Sequence, residues 1–499
     1  MLLPLLMAAG CGSRWGNGSL DEERERQYAL NSQLMAASLG HLVSVDPDTF
    51  YATKELHALY GDSDCQRLWT PDLVPTVEAD TLLRVLERGI AKAGFSAKAF
   101  HLAQIREDLD STYMLSTDSL DSVSISRLAR LEYQLTKAYL YYTRGQRYGF
   151  IEHPENTLNR AQAECLASEQ HIVEAPADFA SQALQKARDG QAMGFVQESE
   201  PSNPLYCLLQ EKLDKTIERQ ARHKVMANME RARWHNPNQP GKNERHLLVN
   251  TAAQQLWAVS EDTVIQMRVV CGARRTKTPM IKDQIGWIVV NPQWSIPAKI
   301  VRNEISRHGG DSGYFARHRY FITNGKGDTI PSKQVTVSQL QANQYRVTQH
   351  RGPGNSLGRL KFNLTNPYHI YLHDTNTPGA FSYANRALSH GCVRVQRPFD
   401  LACFLLHLNL DTDEKEVDRL RVAIGMKPTT EKEQKWLEEN QDNLQKVYDH
   451  FGNRAVKPAV PVYIIYYTIY PNPEDGKLQT WDDPYGYDDL ILRSIKPFL

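Results

Sequence analysis

The sequence predicts a multidomain α+β protein in which an all-helical N-terminal domain precedes a mainly β domain. Three observations carry that expectation. A chain of 499 residues is too long for one hydrophobic core. Apolar residues recur at helical spacing from 21 to 235, and past the turn-rich stretch Trp234-His235-Asn236-Pro237-Asn238-Gln239-Pro240-Gly241 short β-branched and aromatic runs replace them.

Residues 1–20 hold a short apolar run ending Ala8-Ala9-Gly10-Cys11, similar to the small-residue cleavage box of a bacterial lipoprotein signal. No Lys or Arg precedes the run, and Ala8 stands where such boxes usually carry Leu. The expectation it raises is a lipid anchor at Cys11, which would need more than one acyl chain to hold. Through 21–235, segments such as 81–87 and 125–135 place apolar residues at i, i+3, i+4 and i+7, the stripe of a packed helix. Tyr139, Tyr141 and Tyr142 continue one such stripe and read as packing, with a stop at Thr143-Arg144-Gly145. The charged stretch 214–233 reads as one amphipathic helix with a solvated face.

From 246 to 499 strands are expected at 247–250, 263–270, 287–290, 369–372 and 462–470, with helices at 398–407 and 431–451. Such a pattern fits a β-sandwich or mixed β domain. The polar stretch 300–350, with Gly309-Gly310, Gly325, Gly327 and the aromatics Tyr314, Phe315, Tyr320 and Phe321, is too long for a plain connection inside a compact domain.

Basic and acidic residues number 58 each, so no global field points to nucleic acid or an anionic surface. No run of eighteen apolar residues spans a membrane. The seven cysteines lack zinc-type spacing and lack a CxxC pair, so no metal site and no dense disulfide framework is indicated. Neither an organic cofactor nor a metal is expected.

The chemistry concentrates in Ser389-His390-Gly391-Cys392-Val393-Arg394, with His373 nineteen positions before Cys392 at the end of Tyr368-His369-Ile370-Tyr371-Leu372-His373. An ordinary cysteine is only a few per cent thiolate at neutral pH, so a neighbouring imidazole would turn it into a nucleophile. Gly391 leaves room for a substrate backbone to approach.

These runs, with Thr278-Pro279, Asn291-Pro292-Gln293-Trp294-Ser295-Ile296-Pro297, Gly352-Pro353-Gly354-Asn355-Ser356-Leu357-Gly358 and Pro461-Val462-Tyr463-Ile464, resemble the signature of YkuD-type L,D-transpeptidases. The resemblance is to the large periplasmic Gram-negative kind, with a helical scaffold and a capping subdomain. It implies Cys392 as nucleophile, His373 as general base and His390 orienting or assisting, although which imidazole takes the proton stays open. Backbone N–H groups around Gly391 and Cys392 would hold the oxyanion, with Ser389 in the site loop. Arg394 would pair with a substrate carboxylate or brace the loop. Tyr371, Trp294 and Asp374 would line the substrate site, and 300–350 would form a lid.

The implied partners are peptidoglycan stem peptides as donor and acceptor, with carbapenem-type β-lactams as acylating mimics. The implied reaction is 3–3 cross-linking with release of D-Ala, in the periplasm or cell envelope. Transfer to water instead, as an L,D-carboxypeptidase or cysteine hydrolase, and a non-catalytic envelope scaffold stay open. One departure is that 206–233 leaves no room for the separate peptidoglycan-binding module such enzymes often carry.

Overall fold

The computed structural model describes residues 17–46, 52–62, 65–115, 120–152, 154–170, 172–234, 240–241, 244–441 and 444–499. Cys11 and most of the 234–241 boundary lie outside the described residues. The signal-like stretch 1–20 overlaps the first helix, which begins at Asn17 and runs to Val45. No described helix is long and apolar enough to cross a membrane. The chain divides into two compact units, Met1–His235 with Asp488–Leu499, and Asn236–Tyr487.

In the first unit several helices begin where a polar side chain satisfies orphan amides. Thr76 accepts from Ala79 N ahead of Val77–Lys92, and Asp121 from Ser124 N ahead of Ser122–Tyr148. The latter helix runs through the expected stop at Gly145 and ends at Gly149, whose φ is +93°. Gly145 serves close approach instead, since a Cβ there would lie 2.3 Å from Phe150 Cε1. The tyrosine stripe is packing: Tyr139 donates to Ala183 O at 3.0 Å and Tyr142 to Glu200 Oε1 at 2.9 Å. Between helices, the buried Glu132 carboxylate gathers the amides of Leu68, Trp69 and Thr70 and the hydroxyls of Tyr60 and Thr70.

Two expectations need correction here. The stretch 214–233 is not one solvated helix but the end of Pro204–Lys215 and the whole of Arg219–Arg233, the second capped by Glu218. Asp214, Lys215, Glu218 and Arg219 do face solvent, but the charges of the last turns are buried, with Arg233 Nη1 3.1 Å from Glu230 Oε2 and Glu230 Oε1 accepting from Ile151 N at 3.0 Å. Pattern reading assigns charges to solvent, but paired charges with full hydrogen bonding can sit inside. The second correction concerns the C-terminus. Residues expected to end the β domain group with the helices, where Phe498 packs 5.2 Å from Phe150 and its carbonyl accepts from Ser96 N at 2.8 Å.

The second unit is built on β1 (His246–Asn250), β2 (Gln255–Val259), β3 (Val264–Gly272), β4 (Ile281–Val290), β5 (Trp294–Ser295), β6 (Tyr320–Thr323), β7 (Thr329–Ile330), β8 (Arg346–Gln349), β9 (Leu360–Asn363), β10 (Leu372–His373), β11 (Ala387–Ser389), β12 (Val393–Val395) and β13 (Asn453–Ile465). The main sheet has the order β11-β3-β12-β10-β9-β4-β13-β1-β2, and β3 also pairs with β2. Its core includes Val269, Ile288, Phe362, Leu372, Val393 and Ile464, packed with Leu401 and Leu405 of the helix Pro398–Leu405. The expected strand at 369–372 is shorter, because His369 adopts φ +56° and the chain turns there. The expected 462–470 strand instead starts at Asn453, and 431–451 divides into Glu431–Glu439 and Leu444–Gly452.

Strands β5, β8, β6 and β7 form a separate four-stranded sheet. It has its own small core of Ile296, Val301, Ile305, Phe315, Ile322, Val335, Leu340 and Val347. This insertion begins before residue 300, at Trp294, because β5 pairs with β8 through Trp294 and Gln349.

Candidate active site

Strand pairing places the site residues. His373 stands opposite Arg394 in the parallel β10–β12 pair and opposite Lys361 in the antiparallel β10–β9 pair. Directly paired residues project to the same face, so Arg394, His373 and Lys361 form one row across three strands. Their neighbours Leu372, Val393, Leu360 and Phe362 alternate onto the opposite face and belong to the core. Cys392 immediately precedes β12, at the end of the loop from β11.

That loop is held by its own side chains. Ser389 Oγ donates to Cys392 O at 2.6 Å and accepts from Gly391 N at 3.1 Å, while Thr278 Oγ1 donates to Gly391 O at 2.6 Å. Gly391 has φ +122°, a region side chains rarely enter, and an added Cβ would stand 3.1 Å from Ile370 Cδ1. The Gly391 amide is thus already committed to Ser389, whereas the Cys392 amide has no hydrogen bond among the described residues.

The His373 ring is buried, and its Nδ1 meets Asp374 O at 2.5 Å. Because a carbonyl only accepts, Nδ1 carries the proton and Nε2 is the free acceptor. Burial, reinforced by the charges of Arg394 and Lys361, pushes His373 down to about 3, so the ring is neutral at physiological pH. The thiol of Cys392 is also held up by burial, against favourable contacts from Tyr371 and the charges of Lys361 and Arg394. At rest the thiol and the imidazole are therefore both neutral, whereas the sequence led one to expect an imidazole that ionises the thiol. Neutral groups of these two kinds support nucleophilic attack in which proton transfer accompanies bond formation.

The remaining expected residues divide. The Tyr371 ring lies 5.7 Å from that of His373, tilted 60° to it, and its phenol and backbone contact the Cys392 sulfur. Trp294 borders the Tyr371 phenol, but its buried indole N–H lacks the geometry of a full hydrogen bond. His390 is on the site loop but reaches outward, Nε2 to Glu304 Oε1 of the insertion at 2.6 Å, with both side chains half exposed. Asp374 is a brace: its carboxylate accepts from Arg359 N at 2.8 Å and Thr375 N at 2.7 Å, and lies against Gly358. Sequence reasoning missed Lys361, whose Nζ lies 4.2 Å from the Tyr371 ring centroid. The alternation of Leu360-Lys361-Phe362-Asn363 was the signal available. All six described cysteines, Cys65, Cys165, Cys207, Cys271, Cys392 and Cys403, are free thiols.

Each unit holds a segment that matches a known domain family. Residues 244–407 match the L,D-transpeptidase catalytic domain of the YkuD family, and residues 54–213 match the Scaffold domain. A curated relative from Haemophilus influenzae (strain ATCC 51907 / DSM 11121 / KW20 / Rd), named "Putative L,D-transpeptidase", is 25% identical over 487 residues, covering 94% of this chain and 85% of the relative. The two matched segments fall one in each compact unit, so that in this chain a segment matching the YkuD L,D-transpeptidase catalytic domain follows a helical segment matching the Scaffold domain.

Proposed function

We propose that the protein forms 3–3 cross-links in peptidoglycan by acyl transfer through Cys392, with His373 as the base. The observation that carries the reading is the His373 ring itself, tied by Nδ1 to Asp374 O and so left with Nε2 as acceptor on the strand beside the nucleophile's loop. Cys392 Sγ attacks the carbonyl of the L,D bond between the third residue and terminal D-Ala, and its proton passes to His373 Nε2. The oxyanion forms against the Cys392 N–H, because the Gly391 N–H is occupied; one such donor typically contributes ~2.7–4 kcal/mol. His373 then protonates the departing amine, D-Ala leaves, and a thioester remains.

An acceptor stem amine attacks the thioester, gives its proton to His373, and the sulfur leaves to recover that proton. His390 and Glu304 hold the insertion beside the loop, which supports a lid that keeps water from the thioester. The substrate implies a cell-envelope location, and carbapenem-type β-lactams are expected to acylate Cys392.

Incubation with disaccharide-tetrapeptides and mass spectrometry of the products tests the reading. A dimer with a tripeptide donor and one D-Ala released per link is expected from the native protein, and neither product from Cys392→Ala. Tripeptide monomer alone, at high acceptor concentration, would reassign the enzyme as an L,D-carboxypeptidase. No product, with Cys392 reduced, would leave a non-catalytic scaffold.

A further inference from the structure

We infer that Lys361 and Arg394 form a carboxylate subsite astride His373 that reads the free α-carboxylate of the donor's terminal D-residue. The inference rests on the transpeptidase reading above and adds which end of the donor is recognised, and by what.

Two features of the row call for an anion. Both cations are only partly exposed, and among the described residues neither is within ion-pair distance of an Asp or Glu. Lys361 Nζ rests over the Tyr371 ring at 4.2 Å, a weak partner for an ammonium. Arg394 has one long contact, Nη1 to Thr377 Oγ1 at 3.4 Å, and its Nε is buried without a partner. Burial without a counter-ion disfavours the charged state of both groups. A bound carboxylate would satisfy the orphan Nε and compensate both charges, with the Arg fork suited to a planar oxyanion.

The position of that anion follows from the chemistry. His373 Nε2 must reach the leaving nitrogen, and in a D-amino acid the carboxyl carbon lies two bonds from that nitrogen, about 2.5 Å away. Neighbouring strands are about 4.8 Å apart, so Lys361 and Arg394 start one strand spacing to either side of the imidazole. A carboxylate two bonds from a nitrogen at His373 therefore falls between two long cationic side chains. A side-chain carboxyl on the third residue lies on the acyl side of the scissile bond, several bonds further from that nitrogen. A pentapeptide stem would place an amide, not a carboxylate, at the same point. The subsite thus predicts selection for donors that end one residue past the cleaved bond.

The test uses three donors, a tetrapeptide stem whose third residue carries a side-chain carboxyl, the same stem with its terminal D-Ala as carboxamide, and one with that side-chain carboxyl amidated. D-Ala or D-Ala-amide release gives kcat/KM. In the native protein the terminal carboxamide is expected to lose tenfold or more, and the third-residue amide less than threefold. In Lys361→Met the acid-to-carboxamide ratio should collapse toward one, while Lys361→Arg should restore it, separating loss of charge from misfolding. An undiminished ratio in Lys361→Met, or a larger penalty for the third-residue amide, overturns the subsite while leaving the transpeptidase reading intact. Absence of release from every donor by the native protein overturns both.

Discussion

His390 Nε2 lies 2.6 Å from Glu304 Oε1, so the residue two positions before Cys392 is tied to the inserted subdomain. The side chains are 51% and 50% exposed, and a polar contact this accessible contributes only ~0.2–1 kcal/mol. It is a light latch. Glu304→Gln should shift the open-to-closed balance by at most about fivefold, raising the ratio of hydrolysed to cross-linked product by a similar factor. Product analysis at fixed acceptor concentration checks this, with hydrogen exchange over 301–305 as the structural readout. An unchanged ratio with faster exchange would show that the insertion does not shield the thioester.

The neutral resting state of the Cys392 thiol gives an opposite expectation from that of a pre-ionised thiolate. Since burial holds Cys392 above its ordinary range, alkylation by iodoacetamide at pH 7 should be slower than for a free thiol. The rate should climb about tenfold per pH unit through and beyond the free-thiol value of about 8.5. Peptide mass spectrometry can follow Cys392 against exposed Cys207 in the same sample. A rate already on its plateau at pH 7 would mean a preformed thiolate–imidazolium pair.

Much of the architecture was legible because it rests on local pattern. Apolar stripes at 81–87 and 125–135 fall inside the helices Val77–Lys92 and Ser122–Tyr148, and 247–250 and 263–270 fall on β1 and β3. What the pattern could not carry is pairing between distant segments. Lys361 became a site residue only through its register opposite His373, and Glu304 only through its contact with His390. Likewise, no local rule marks Glu230 and Arg233 as a buried pair, since each charge looks solvated until the other is placed. The Asp488–Leu499 tail follows the β strands in sequence, yet Phe498 finds its aromatic partners among Phe95, Phe100 and Phe150.

Asp374 should matter for stability as much as for activity. Removing its carboxylate leaves the amides of Arg359 and Thr375 without their acceptor, at about 1–3 kcal/mol for each that stays buried and unpaired. Asp374→Ala is therefore expected to lower unfolding free energy by about 2–4 kcal/mol, and Asp374→Asn by less because an amide oxygen still accepts. Urea midpoints at constant m-value measure the difference. A cost below about 0.5 kcal/mol in the Ala variant, the range of neutral surface changes, would sink the bracing role.

His373 gives a pH test independent of turnover. Its folded value is about 3, against about 6.5 in an unfolded chain. Between those values the unfolded state binds the extra proton, so the native protein should lose stability as pH falls from about 6.5 toward 3, at up to ~1.4 kcal/mol per pH unit. Above pH 7 the ring is neutral in both states and contributes no slope. The groups that hold the value down are the enclosing site, Arg394 and Lys361, while Asp374 O, accepting from Nδ1, works in the other direction. His373→Gln has no proton to gain, so its stability should fall less steeply across this window even if it starts lower at pH 7. Denaturant midpoints for both proteins at half-unit intervals from pH 7 to pH 4 decide the matter. A constant gap between the two curves would mean that His373 does not stay neutral in the folded site, and the assignment of a buried, uncharged base would have to be given up.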